Sequence, residues 1–230
     1  MIQFFLTLTA FAPPMVEGLR HGLIAKSLRE QQCSVDMSHH RWVQKDDDGI
    51  FVQGRYESPL PPWIEFTPLR LQYLRIDRVT IHADTDEQIA VTKFFLKKLR
   101  GIPTLSIYSD QFELSDLQEV LADMRVQSLY LRGMRLPRTG ISVLSQDGLT
   151  WLGVMHTQFS NPAIDDLPLS LEHFDATRTR INDEGLPKFA KFTNLKKLIL
   201  RRTPTTLNAI IALRKEMPWC EIDWQPLKNP

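Results

Sequence analysis

One pattern recurs along most of this chain and limits what it can fold into. In residues 171–181, Leu171, Phe174, Ala176 and Ile181 stand at positions i, i+3, i+5 and i+10, with Thr179 at i+8. Leu149, Leu152, Val154, Thr157 and Phe159 repeat it, as do Leu195, Leu198, Leu200, Thr203 and Thr205. Val126, Leu129, Leu131 and Leu136 match the apolar positions, and so do Ile102, Leu105, Ile107 and Phe112. Leu71, Leu74, Ile76 and Ile81 supply the first copy, and Met217, Cys220 and Ile222 a shortened last one. The starts are separated by 31, 24, 23, 22, 24 and 22 residues.

A period in the twenties around LxxLxL is the signature of a leucine-rich repeat. It predicts an α/β solenoid, a right-handed strand–helix arc with a parallel sheet on its concave side. Alternation along each strand turns i+3 and i+5 inward and i+2, i+4 and i+6 outward. Position i+8 faces inward after the turn and holds Thr157, Thr179 and Thr203, with Asp110 in an earlier copy. A threonine hydroxyl there would bond the backbone of the neighbouring turn and keep a buried polar row satisfied. The return side of each repeat is expected to be helical. Residues 86–100 carry Ile89, Phe95, Leu96 and Leu99, residues 114–124 follow an acidic start, and Thr206 precedes 207–215. Between Pro162 and Pro168 there is too little chain for a proper helix.

Residues 63–230 are therefore expected to form the repeat domain, with a C-terminal cap from about 217, and residues 1–62 a small non-repeating α+β cap. Such a cap is needed because an end repeat would otherwise expose one side of the continuous core. Within it, residues 16–31 predict a helix with Leu19, Leu23, Ile24 and Leu28 on one face, opened by Pro13-Pro14. Residues 33–37 and 50–56 predict strands, separated by an exposed turn at 45–49. Residues 1–16 carry no charged side chain, yet the apolar run is shorter than the roughly 20 residues of a membrane span. It also lacks the basic start of an export signal. A cytoplasmic location is favoured over export or anchoring, with membrane association through residues 1–12 as the alternative.

Lysine and arginine number 28 against 27 acidic residues, a net charge of +1, which gives no footprint for nucleic acid or an anionic membrane. Cys33 and Cys220 form no paired motif, and Cys220 reads as a small buried hydrophobe. No phosphate loop, GxSxG, HExxH or CxxC is present. His39-His40 reads as a solvated loop pair, and the Asp46-Asp47-Asp48-Gly49 run lacks the alternating ligands of a calcium loop. No metal or cofactor is expected. His173 and Asp175 lie on one strand face and could orient an imidazole, but no activated nucleophile is identifiable beside them.

The segment Thr179-Arg180-Ile181-Asn182-Asp183-Glu184-Gly185-Leu186 resembles the T-x-I-T-D-x-G-L unit of bacterial leucine-rich repeat proteins with helical convex sides. Met217-Pro218-Trp219-Cys220-Glu221-Ile222 is similar to their L-P-x-C-x-I ending. Residues 1–37 share the layout of their N-terminal parts, with Gln32-Cys33 where a glycine pair is usual. The resemblance implies a protein-interaction scaffold without a cofactor.

The outward columns locate the expected binding surface. They read Tyr73, Thr104, Ser128, Trp151, His173, Lys197 at i+2; Arg75, Ser106, Tyr130, Gly153, Asp175, Ile199 at i+4; and Asp77, Tyr108, Arg132, Met155, Thr177, Arg201 at i+6. Tyr108, Tyr130, Arg132, Trp151 and Met155 should cluster around a hollow at Gly153. These are the residue types enriched at interface cores. Seven strands about 4.8 Å apart span on the order of 30 Å, enough for a partner patch of roughly 800 Å². The expected function is non-enzymatic binding of a protein partner through Tyr73, Arg75, Tyr108, Tyr130, Arg132, Trp151, Met155, His173, Asp175 and Arg201. The alternatives are a hydrolase-like enzyme or enzyme subunit using His173 and Asp175, and a structural module tethered to a membrane or cell surface. Trp219 and Trp224 are expected to pack in the terminal cap.

Overall fold

A computed structural model describes residues 2–37, 41–43, 55–57, 75–83, 85–137 and 141–227, with side chains described at 16–37, 75–83, 85–137 and 141–227. The chain forms two compact units, Met1–Val79 and Thr80–Pro230.

The first unit opens with α1 (Ile2–Glu30), followed by β1 (Ser34–Met37), β2 (Arg41–Val43), β3 (Arg55–Glu57) and the start of β4 (Ile76–Ile81). β1 neighbours β4, and β2 pairs antiparallel with β3. Helix α1 corrects two expectations. It runs through Pro13 and Pro14 rather than opening after them. Proline costs a helix its hydrogen bonds, but its fixed φ near −65° is itself helical. The buried face is Gly18, Ile24, Ala25 and Leu28, whereas Leu19 and Leu23 are 49% and 59% exposed. At about 100° per residue, Gly18, Ala25 and Leu28 share a face from which Leu19 and Leu23 point away. The helix ends in a left-handed residue, Gln32 (φ 62°), with Cys33 N–H donating to the Leu28 carbonyl. The turn at 45–49, His39-His40, Tyr73 and the first part of the 50–56 strand lie outside the described residues. Among those described, no helix is long and apolar enough to cross a membrane.

His21 ties α1 to β4, its Nδ1 accepting the Ile76 N–H at 3.1 Å. Burial, then the nearby Arg75 charge, holds the imidazole below its ordinary value of 6.5. The folded chain therefore resists a proton that the unfolded chain accepts. Stability should be full above pH 6.5 and be lost as pH falls below it. Urea melts from pH 8 to 5 check this, because the slope should be smaller in His21→Gln than in the wild type, with His156, also held below its ordinary value, supplying part of what remains.

The second unit contains α2 (Asp86–Leu96), β5 (Gly101–Tyr108), α3 (Leu114–Leu121), β6 (Arg125–Arg132), β7 (Trp151–Gly153), β8 (His173–Asp175), β9 (Lys197–Thr203), α4 (Leu207–Glu216) and β10 (Glu221–Pro226). Strands β5 to β10 lie side by side in chain order, each parallel to the next. The register aligns Leu105, Leu129, Leu152, Phe174, Leu198 and Ile222 in one inward row. Their side chains and those at i+5 form the core, with Leu105, Ile107, Leu152, Val154, Ala176, Leu198 and Leu200 fully buried. Returns begin where the sequence supplies caps. Thr85 Oγ1 accepts from Gln88 N on α2, Glu113 and Asp116 box the start of α3, and Thr206 Oγ1 accepts from Ala209 N on α4. The other three returns are 3₁₀ turns, Ser142–Leu144, Asn161–Asp166 and Asp183–Lys191, the last containing Pro187. The short Asn161–Asp166 turn agrees with the space between Pro162 and Pro168.

Three registers differ from the sequence reading. The first inward set is Ile76, Val79 and Ile81, so the copy starts at Ile76 rather than Leu71, and the step to Ile102 is 26 residues. Ile76-Asp77-Arg78-Val79-Thr80-Ile81 fits the alternation as well as the leucine-rich string before it, and its burial pattern matches that of Ile102, Leu105 and Ile107 in the next copy. Ser109, not Asp110, turns inward, its Oγ donating to the Ala83 carbonyl (2.6 Å) and accepting from Gln111 N and Phe112 N. At the C-terminal end Ile222 pairs with Leu198 and Trp224 with Leu200, so these are the i+3 and i+5 residues. Met217 instead caps α4. Trp224 packs as expected, its Nε1 donating to Thr205 Oγ1 (2.8 Å), but Trp219 is exposed. Cys33 and Cys220 are buried and free, and burial pushes the Cys220 thiol up to about 11.

The inward threonines are satisfied within their own turns. Thr157, Thr179 and Thr203 donate to the carbonyls three residues back, Val154 (2.7 Å), Ala176 (2.8 Å) and Leu200 (3.0 Å). The residue just before each takes a left-handed conformation, His156 (φ 57°), Arg178 (φ 55°) and Arg202 (φ 55°), with Gly133 (φ 76°) in the preceding copy. This kink aims the hydroxyl back along its own strand rather than at a neighbour.

Candidate functional site

Because the strands are in register, the outward positions form straight columns. Ser128, Trp151, His173, Lys197 and Glu221 make one, and Tyr130, Gly153, Asp175, Ile199 and Asp223 the next. Tyr130 lies opposite Gly153, leaving space for its ring to lean over the glycine and meet Trp151 on the same strand. The Tyr130 and Trp151 rings are 4.4 Å apart at 31°, and Trp151 stacks on His173 at 6.1 Å and 26°. All three are half-exposed. Offset stacking of this kind adds about 0.5–1.5 kcal/mol per pair and holds each ring in one orientation.

The hollow expected at Gly153 is filled. A β-carbon placed there would meet Trp151 at 3.3 Å, Tyr130 at 3.4 Å and the Met155 methyl at 3.5 Å. The glycine thus seats the three side chains as one continuous platform. Its absent side chain is what lets them converge, a signal present in the sequence but readable only with the register.

Charged residues flank this platform in pairs. Lys197 bonds Glu221 at 3.0 Å, and Arg201 grips Asp223 with Nε at 2.9 Å. Arg201 is therefore committed to a neighbouring strand. Arg132 is exposed beside the platform, and Tyr108 stands one strand away against His82, ring centroids 5.3 Å apart. His82 is an outward residue that the earlier register missed. Arg75 immediately precedes β4, near His21, and so falls outside the outward positions of that strand. Ser106 points outward but is buried.

His173 and Asp175 do not pair. Asp175 Oδ1 accepts from Thr177 N (2.9 Å) and Thr177 Oγ1 (2.6 Å), while His173 stacks on Trp151. The carboxylate braces the strand exit rather than orienting the imidazole. Among the described residues, no group of three or more His, Cys, Asp or Glu could hold a metal ion.

Farther along the same strand exits, arginines accumulate. His156 is held below its ordinary value, first by burial and then by the charges of Arg132, Arg178 and Arg202. Arg178, Arg180 and Arg202 line a pocket of about 630 Å³ together with Thr179, Pro204 and Leu227. The outward columns stop at i+6, so the sequence reading did not reach it.

Parallel strands whose copies start 22 to 26 residues apart, each followed by an inward turn and a helical return, define a leucine-rich repeat architecture. No family model matches the chain, and no curated protein matches it in sequence. Among solved structures, a leucine-rich repeat protein of Leptospira interrogans aligns at 17% identity and a TM-score of 0.43, over 70% of this chain and 39% of its own. An internalin C2 from Listeria monocytogenes aligns at 16% and 0.43, over 67% and 86%. The chain spans about two fifths of the Leptospira protein.

Proposed function

We propose that the protein is a non-enzymatic scaffold that binds a protein partner on the outward face of its strands. The observation that carries this reading is the ring row Tyr130–Trp151–His173, stacked across three strands, half-exposed and seated on Gly153. Aromatic side chains held in one orientation lose little entropy on binding and bury a large area, which is why they dominate interface energetics. Met155 and Arg132 border the row, and the Lys197–Glu221 and Arg201–Asp223 pairs give it a polar rim. Recognition would then be shape and aromatic contact on a rigid sheet.

The test is capture of partner from a lysate of cells that make the protein, with wild-type and Tyr130→Ala/Trp151→Ala chains as bait. The double variant should recover at least about tenfold less of the specific partner, the loss expected from removing two central anchors. Equal recovery by both baits overturns the reading.

A further inference from the structure

We propose that the turn edge formed by Arg178, Arg180 and Arg202 docks an acidic peptide segment of a protein partner. The site is separate from the ring row and does not rest on it. Three arginines from two adjacent turns line one pocket of about 630 Å³, and none of them forms an ion pair among the described residues. Several other cations of this unit are matched across repeats: Lys93 with Asp116, Lys188 with Asp165, Lys196 with Glu172 and Arg201 with Asp223. Asp175, one of the acids near this edge, is already engaged by Thr177. The edge is thus a local excess of positive charge on a nearly neutral chain.

The backbone offers no reason for arginine here. Arg178 and Arg202 occupy the left-handed position that Gly133 fills in an earlier copy, and a β-carbon there costs about 1–2 kcal/mol that glycine avoids. The Arg178 amide is tied down all the same, donating to the Arg201 carbonyl at 2.9 Å. A strained position that carries a charged side chain in two successive repeats is explained by what the side chain does.

The chemistry favours carboxylates on an extended peptide. Equivalent residues of adjacent repeats are about 4.8 Å apart, and alternate residues of an extended chain about 6.6–6.8 Å. Three planar forks within that span can receive two neighbouring acidic side chains. Pro204 and Leu227 form an apolar wall for the residue between them. A nucleic acid would need basic charge spread along its backbone, which a net charge of +1 does not supply.

The full chain is titrated, by fluorescence anisotropy, into a labelled peptide of alternating glutamate and leucine at low and physiological salt. Binding should weaken with salt, disappear for the glutamine counterpart, and fall at least about tenfold in Arg178→Glu/Arg202→Glu. Arg178→Gly/Arg202→Gly should lose binding to a similar degree while melting no lower than wild type, which separates recognition from folding. Lys191→Glu, a charge change on the return side, should leave binding as it is. Unchanged affinity in either arginine variant, or no measurable binding of the glutamate peptide, overturns the proposal. So does tighter binding of a phosphoserine peptide or an oligothymidylate than of the glutamate peptide. The peptide carries no aromatic partner for Tyr130 or Trp151, so its result stands whichever way the capture experiment falls.

Discussion

Replacing Phe174 by alanine should lower the stability of the purified chain by about 3–5 kcal/mol, the cost of deleting a buried aromatic. Phe174 is buried on β8, with Phe159 at 5.6 Å on one side and Phe189 at 5.8 Å on the other. Phe189 in turn meets Phe192 at 6.1 Å, so one deletion opens the middle of a four-ring row linking consecutive repeats. Each repeat buries its inner face only against its neighbours, so collapse into the void is restricted by strands held in register. The measurement is the urea midpoint at constant slope. Trp151→Ala, on the opposite face of the same sheet, should cost less in that melt, about 1–3 kcal/mol from its two ring pairs, since its area is only partly buried. A reversed order would mean that the inside and outside of the strands are exchanged.

The second large effect is expected at Gly185. A β-carbon there would sit 2.7 Å from Cγ of Asn161 and would displace that side chain. Asn161 Oδ1 accepts from Asn182 N (3.1 Å), and its Nδ2 donates to Asn182 Oδ1, which also accepts from Glu184 N (3.1 Å). This network locks the 3₁₀ turn Asn161–Asp166 to the turn Asp183–Lys191. Gly185→Ala should therefore cost about 1–3 kcal/mol, the range for leaving such groups without partners. Because the clash is with one side chain, adding it to Asn161→Ala should cost much less than it does in the wild type. A double-mutant cycle reads that difference directly. If the two effects simply add, Asn161 is not the reason for the glycine. The contact also gives a physical role to the glycine of the Asn182-Asp183-Glu184-Gly185-Leu186 string that carried the resemblance.

Where the inward pattern was unambiguous, between Ile102 and Thr205, the apolar residues it selected are the buried ones. It slipped where two readings were equally good. At the start, Leu71 and Ile76 both begin an alternating run. In the first turn, Ser109 and Asp110 are both polar, and the smaller side chain is the one that fits beneath Ala83. At the end, Met217 is buried at the cap of helix α4, and the strand pairing makes Ile222 and Trp224, not Cys220 and Ile222, the i+3 and i+5 residues.

The outward face was legible as a list of residues and not as a surface. Tyr130, Trp151 and Met155 could be assigned to neighbouring columns from spacing alone. Whether they leave a hollow or close over Gly153 depends on side-chain directions across three strands, and they close. The arginine edge was harder to see, because the left-handed turn that brings Arg178, Arg180 and Arg202 together leaves no periodic mark.

By itself, the sequence determined the repeat, its period and which side of each central strand is buried. Those follow from alternation along a single strand, where the hydrophobic effect acts on each side chain in turn. Only the tertiary structure decided the registers at the ends, the closed aromatic platform, the release of Asp175 from His173 and the gathering of arginines at the strand exits. Each of these depends on which residues of different repeats stand opposite one another, and that is set when parallel strands pair and their turns stack.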